Sequence, residues 1–171
     1  MKTKKVFVSP YDSGWKTDFE DISREIQSTV GDLAIAIEHI GSTAVEGLPA
    51  KPIIDIDIVI ESPNFLDETI LRLKDAGYIH EGNLGIEGRE AFKYSGKEHL
   101  RKHHLYVCPK GSAELRRHIT FRDYLRSNPD SAKEYGAIKE KAAKLFPDDI
   151  DKYIEYKSGY IRELYKKCGL E

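Results

Sequence analysis

The sequence predicts an α+β (mixed α/β) fold: a central mixed β-sheet flanked by helices, with a helical C-terminal part. Three observations carry this. Runs rich in β-branched residues crowd the middle of the chain, amphipathic stripes at helical spacing occupy both ends, and no repeat or Pro/Gly-rich linker divides it. Strands followed by helices in 171 residues suit one domain over 1–171, with a strand-rich core at about 6–110 and a helical part at about 111–171.

Val6–Val8 is long enough only for a short strand. Trp15, Phe19, Ile22, Ile26 and Val30 recur at three and four, the stripe of an amphipathic helix that Gly31 stops. Ala34–Ile40 is an apolar run of strand length, and Pro52–Ile60 is the strongest strand of all. Ser62 caps the next helix, Pro63 fits its first turn, Leu66, Ile70 and Leu73 line its buried face, and Gly77 ends it. Glycines at 77, 82, 85 and 88 mark turns around short strands at about 78–81 and 90–95, and His103–Cys108 reads as a further strand. Leu115, His118, Ile119, Arg122 and Leu125 follow helical spacing. Ser131 and Glu134 form a capping box for a helix with the stripe Tyr135, Ile138, Ala142 and Leu145. Ile150, Tyr153, Ile154, Ile161, Leu164, Tyr165 and Cys168 give the last helix.

An apolar fraction of 40% and a charged fraction of 33% exclude a disordered tail or a small disulfide scaffold. Cys108 and Cys168 form no CxxC pair, which excludes a zinc knuckle and predicts a reducing compartment. The basic start at 1–5 is followed by too short an apolar run for a leader, and no stretch suits a membrane span. The expectation is a cytoplasmic protein without a membrane partner. The net charge of −2 conceals a block at 93–126 with nine Lys and Arg against three acids, locally +6, leaving −8 on the remainder. Such a block suits either a phosphate-bearing partner or a solvated basic face.

The chemistry concentrates between Ile37 and Ile58. A strand runs into Gly41-Ser42, where glycine lets a phosphate approach the backbone closely. Thr43 and Glu46 satisfy a capping box for one helical turn. Asp55 and Asp57 lie two apart on a strand, so both carboxylates point to one face while Ile54, Ile56 and Ile58 enter the core. Adjacent carboxylates repel unless a cation sits between them, and oxygen ligands of this kind suit Mg²⁺ or Mn²⁺ beside substrate phosphates. The plainer reading is a half-exposed strand with acids outward. Lys51, Arg89 and Arg122 are phosphate partners by charge, or else ordinary surface and ion-pair residues.

Gly41-Ser42, a gap over 43–54, then Asp55-Ile56-Asp57-Ile58 resembles the signature of the DNA polymerase β-type nucleotidyltransferase superfamily. That resemblance implies that Gly-Ser holds a nucleoside triphosphate and that the Asp pair binds catalytic divalent metals. The wording Glu38-His39-Ile40-Gly41-Ser42-Thr43-Ala44-Val45, Gly47-Leu48, Ala50-Lys51-Pro52-Ile53-Ile54-Asp55-Ile56 is closer still to the GrpB family, which has this fold. Similar wording continues at Pro10-Tyr11-Asp12, Trp15, Gly88–Phe92, His103–Val107, Arg117-His118, Phe121–Arg126, Tyr135 and Lys139, covering about 6–165. Superfamily enzymes usually add a third carboxylate on a later strand. Here His104 and Tyr106 take that face, in place of the two histidines common in GrpB proteins, and Glu90 is the alternative source of an acid.

The resemblance therefore leaves two functions open. One is a metal-dependent nucleotidyltransferase, with Mg or Mn on Asp55 and Asp57 and phosphates held by Gly41, Ser42, Lys51, Arg89 and His104. The other is a non-catalytic module for a nucleotide, a phosphorylated metabolite or RNA. A zinc site on His99 and His103 lacks the following glutamate of a zinc helix. A Ser42–His39 hydrolase lacks its nucleophile elbow and a third member.

Overall fold

In the computed structural model the described residues are 5–171; the basic stretch over 1–4 lies outside them. Ten principal elements follow in order: α1 (Gly14–Val30), β1 (Ala34–Ile40), β2 (Ile54–Ile60), α2 (Leu66–Asp75), β3 (Ile79–Gly82), β4 (Glu90–Lys93), β5 (His103–Pro109), α3 (Ala113–Ser127), α4 (Pro129–Leu145) and α5 (Ile150–Lys167). Among the described residues no helix is long and apolar enough to cross a membrane.

The strands form one mixed sheet in the order β1-β2-β5-β4-β3. β2 runs parallel to β5, and every other pair is antiparallel. The β2–β5 register sets Ile56 beside Leu105 and Ile58 beside Val107, while Asp55 meets His104 and Asp57 meets Tyr106. Alternation thus gives the sheet one apolar face and one polar face. The apolar face is sealed by α1 and α2, through Trp15, Ile22, Ile26, Val30 and Leu73 against the isoleucines of β2. On the other face, Leu115 of α3 packs on Val59 and Cys108. A separate helical cluster joins Val45 and Leu48 to Leu125, Tyr135 and Leu164.

Several local expectations are corrected. Val6–Val8 forms no strand: Val6 N–H donates to the Pro147 carbonyl (2.8 Å), and only Ser9 makes a bridge, to Ala50. β2 starts at Ile54, after Pro52, which has no N–H for a ladder. α4 starts at Pro129, a residue preset for the first helical position, so Ser131 lies inside the helix and caps nothing. Its buried residues are Ala132, Tyr135, Gly136, Lys139 and Ala142; Lys139 rather than Ile138 occupies that face, and Leu145 is exposed. The turn after Gly41 is a 3-10 turn at Ser42–Ala44, two residues earlier than the Thr43 capping box requires.

Candidate functional site

The turn at Ser42–Ala44 forms one wall of the site and is tied down from three directions. Lys139 of α4 donates to Ser42 Oγ and to the Pro49 carbonyl, both at 2.8 Å. Arg126 of α3 donates to the Ala44 carbonyl (2.9 Å). Thr43 Oγ1 lies 2.9 Å from His39 Nε2, so His39 serves the turn and does not address Ser42 as a catalytic base would. Gly41 has φ +73°, and a Cβ there would collide with the Asp55 carboxylate. That close approach is why the strand-ending residue is glycine.

Asp55, Ser42, Lys51 and His104 share a cavity of about 220 Å³, and the fold adds Lys139, Tyr153 and Lys157 to its lining. Three lysines therefore face one carboxylate. Burial, reinforced by the neighbouring lysines, lowers Lys139 to about 7. Burial, then Lys51, lowers Lys157 to about 8. Lys51 and Lys157 also stand over the Tyr153 ring, at 5.7 and 4.6 Å from its centroid. Mutual repulsion of crowded cations, of which Lys139 is buried, is relieved by an anion, and a phosphate carries the charge and the acceptors to do it. His104 Nδ1 sits 2.9 Å from Asp55 Oδ1, at the cavity's open side. A larger cleft of about 1010 Å³ between α1 and α4 holds none of the residues predicted to bind phosphate or metal. Another, of about 950 Å³, adjoins the site through Lys51, Ile53 and His104.

Asp57 shares the face of Asp55 but not its exposure. Its side chain is 0% exposed against 31% for Asp55, so only one of the two carboxylates expected to hold metal is accessible. His118 of α3 covers it, with Nδ1 2.6 Å from Asp57 Oδ2 and Nε2 3.0 Å from Glu114 Oε1. Burial raises the Asp57 carboxyl above its usual range, and His118 opposes that rise. Burial works against a charge on His118, yet Asp57 and Glu114 outweigh it and raise the imidazole. Asp57 Oδ1 is buried without a hydrogen-bond partner.

The other predicted residues disperse. Arg89 stacks on Tyr106 with its guanidinium carbon 4.4 Å from the ring centroid, and does not line the cavity. Arg122 bonds Glu38 (2.7 Å), Asp123 (3.0 Å) and the His39 carbonyl (3.0 Å), pinning α3 to β1. Glu90 pairs with Val107, which faces the core, and reaches His80 (3.1 Å), so it cannot act as a third carboxylate. His103 is buried against Tyr78 and Tyr94 while His99 bonds Glu25, which removes the zinc pair. The basic block at 93–126 is no continuous face: Arg101 pairs with Asp18, Lys110 with Glu61 and Arg117 with Glu114. Sequence reasoning missed Lys139 and Lys157 as lining, and His118 and Glu114 as partners of Asp57. The available signals were a lysine spaced four from Tyr135, and the four-residue Glu114–His118 step on a helix.

Fitting a divalent ion here gives a split result. Asp55 opens on the cavity, and the orphan Asp57 Oδ1 is the kind of buried oxygen that a cation would satisfy. Yet among the described residues no three His, Cys, Asp or Glu side chains are arranged as a preformed metal cluster.

Known proteins share this architecture. A conserved GrpB protein from Enterococcus faecalis superposes with a TM-score of 0.82 at 33% identity, over 95% of this chain and 96% of that one. The Cid1 poly(U) polymerase (TM-score 0.53, 12% identity, 80% of this chain, 44% of that one) and terminal uridylyl transferase 4 of Trypanosoma brucei (0.50, 16%, 93% and 51%) share the fold. The fold is thus nucleotidyltransferase-like. In sequence, YqkA of Bacillus subtilis is 36% identical over 93% of this chain, which spans only 46% of YqkA. The glutamate-rich protein GrpB of Alkalihalophilus pseudofirmus is 35% identical over 94% of both chains. A dephospho-CoA kinase of Mycolicibacterium paratuberculosis is 26% identical over 93% of this chain and 45% of its own. The family described as GrpB protein matches residues 5–167, and with that near-complete coverage the chain belongs to the GrpB family.

Proposed function

We propose that this chain binds the phosphates of a nucleotide in the cavity between the Ser42–Ala44 turn, β2 and α5, and that it transfers a nucleotidyl group to an acceptor. The observation that carries the reading is the convergence of Lys51, Lys139 and Lys157 with Ser42 and His104 around the single accessible carboxylate, Asp55. Lysines of this kind neutralise transferring phosphates, and in phosphoryl chemistry positioning and charge neutralisation do most of the work. Lys139 also holds Ser42 in place, so one residue sets both the charge and the shape of the wall. A divalent ion on Asp55 would supply the charge that lets a carboxylate and a polyphosphate share one cavity. The fold neighbours Cid1 and terminal uridylyl transferase 4 are described with GTP bound, which makes a nucleoside triphosphate the first ligand to try.

Calorimetry with each nucleoside triphosphate, with and without Mg²⁺ or Mn²⁺, tests the reading. Binding is expected to weaken at least tenfold in Lys157→Gln and to lose its metal dependence in Asp55→Asn. Unchanged binding in both variants would place the phosphates elsewhere. The burial of Asp57 favours a second reading, a binding module without turnover. Tight binding with no released pyrophosphate against any acceptor would select it.

A further inference from the structure

We propose that His118, clamped by Glu114, fills the place beside Asp57 where a second divalent ion would sit, so that this site takes one ion, on Asp55. The inference rests on the reading above for the ion on Asp55, and on geometry alone for its absence from Asp57.

The two aspartates occupy the same face two residues apart, yet their surroundings differ. Around Asp57 the neighbouring side chains are engaged from within the protein, while Asp57 Oδ1 and Arg89 Nε are buried without a hydrogen-bond partner. The β1 neighbour of Asp57, Glu38, is bonded by Arg122 (2.7 Å), and its β5 neighbour Tyr106 lies under Arg89. Oδ2 meets His118 Nδ1 at 2.6 Å. A divalent ion bonds carboxylate oxygen at roughly 2.0–2.1 Å, and a ring nitrogen this close leaves no room for one at Oδ2. The unpartnered Oδ1 belongs to a side chain 0% exposed that does not line the cavity, so no ion reaches it while the ring is in place. The second ring nitrogen of His118 is held at 3.0 Å by Glu114, one helical turn earlier, which fixes the ring's orientation. α3 is itself anchored: Ser112 accepts from Leu115 N–H (3.1 Å) at its start, and Arg122 grips β1. The imidazole is therefore a built-in part of the wall.

Asp55 is arranged differently. Its partner His104 has a side chain 50% exposed, and both His104 and the Asp55 carboxylate line the cavity. Two-ion sites place a cation on both the attacking and the leaving oxygen. Here the Asp57 end has an imidazole in that position, so His118 is a positioning residue that fixes how many ions the site accepts.

Crystals of the full chain soaked with Mn²⁺ and inorganic tripolyphosphate test this by anomalous diffraction, which counts and places the ions. The expected result is one manganese on Asp55 in the parent and a second, on Asp57, in His118→Ala. Two ions in the parent, none in the parent, or a single ion in His118→Ala would each overturn the proposal. A lone manganese on Asp55 with no tripolyphosphate beside the lysines would uphold this inference while removing the phosphate reading. Since His118→Ala strips a buried carboxylate of its partner, the parent provides a second measurement. The proton NMR signal of the His118 Nδ1–H, hydrogen-bonded to Asp57, is expected to persist when Mg²⁺ and tripolyphosphate are added. Its loss would mean that the ring had left Asp57, and would overturn the proposal.

Discussion

A lysine only 3% exposed, with two more ammonium groups nearby, holds its proton loosely, and Lys139 is drawn down to about 7 by burial. Between pH 7 and its ordinary 10.5 the unfolded chain carries a proton there that the folded chain lacks. Stability attributable to this group therefore rises with pH across that window. An anion in the cavity returns the proton. Binding of sulfate, which has no titrating proton near pH 7.5, is expected to take up protons, read as a heat that differs between Tris and HEPES. Lys139→Met is expected to remove the larger part of the uptake, leaving the smaller share of Lys157, and to weaken sulfate about tenfold or more, the scale of a lost charge-assisted hydrogen bond. Equal uptake in the variant would locate the proton elsewhere. Gly41 gives a second test at the same scale. Gly41→Ala meets a left-handed backbone and the Asp55 carboxylate together. The expected loss is about 2 kcal/mol from the backbone alone, a melting point lower by roughly 4–8 °C. A melting curve unchanged from the parent would show that the turn relaxes freely.

Among the elements, α4 packs directly on the loop behind the site and contributes Lys139 to its lining. A Cβ on Gly136 would lie 2.7 Å from Pro49 Cδ, so the helix approaches the loop at backbone distance, one turn from Lys139. Alanine there gains about 1 kcal/mol of helix propensity, but the overpacking costs about 1–3 kcal/mol and displaces the helix. Gly136→Ala is expected to lower the melting point slightly and weaken sulfate several-fold without touching the anion; unaltered affinity would mean that the loop yields instead. This dependence on helix placement explains which parts of the site were legible in the sequence. Gly41, Ser42, Lys51 and Asp55 belong to one local strand–turn–strand pattern, and His104 follows from strand alternation, so all five are brought together as read. Lys139, Lys157, His118 and Glu114 arrive on α3, α4 and α5, whose approach depends on packing that periodicity does not encode. The helices themselves were legible from their stripes. The errors fell where proline chose the starting residue, at β2 and α4, where a buried lysine interrupted an apolar face, and where segments were too short for periodicity to decide, at Val6–Val8 and at the turn after Gly41.

At the scale of the whole molecule, the apolar side of the sheet contains two histidines kept neutral. Burial, then Arg126, lowers His39, which stacks on Phe19 (centroids 4.7 Å apart), to about 4. Burial also lowers His103, which is stacked on Tyr94 at 4.4 Å. Below about 6.5 the unfolded chain binds protons at these positions that the folded chain refuses, so stability falls as pH drops from 6.5 toward 4. For His39 alone the loss approaches ~3 kcal/mol at the acid end. Urea titrations at pH 7 and pH 4.5 are expected to show it, and His39→Gln to flatten the slope by roughly half; an identical slope in the variant would assign the acid limb elsewhere. The cavity wall has a consequence of another kind. Asp55 and Lys157 line the same 220 Å³, although about a hundred residues separate them along the chain. At synthesis rates of about 5–20 residues per second, the acidic strand emerges on the order of 5–20 s before the last lysine that answers it. On the ribosome this cavity wall is thus completed only after the sheet, and a chain cut before α5 would carry a finished sheet beside an open wall.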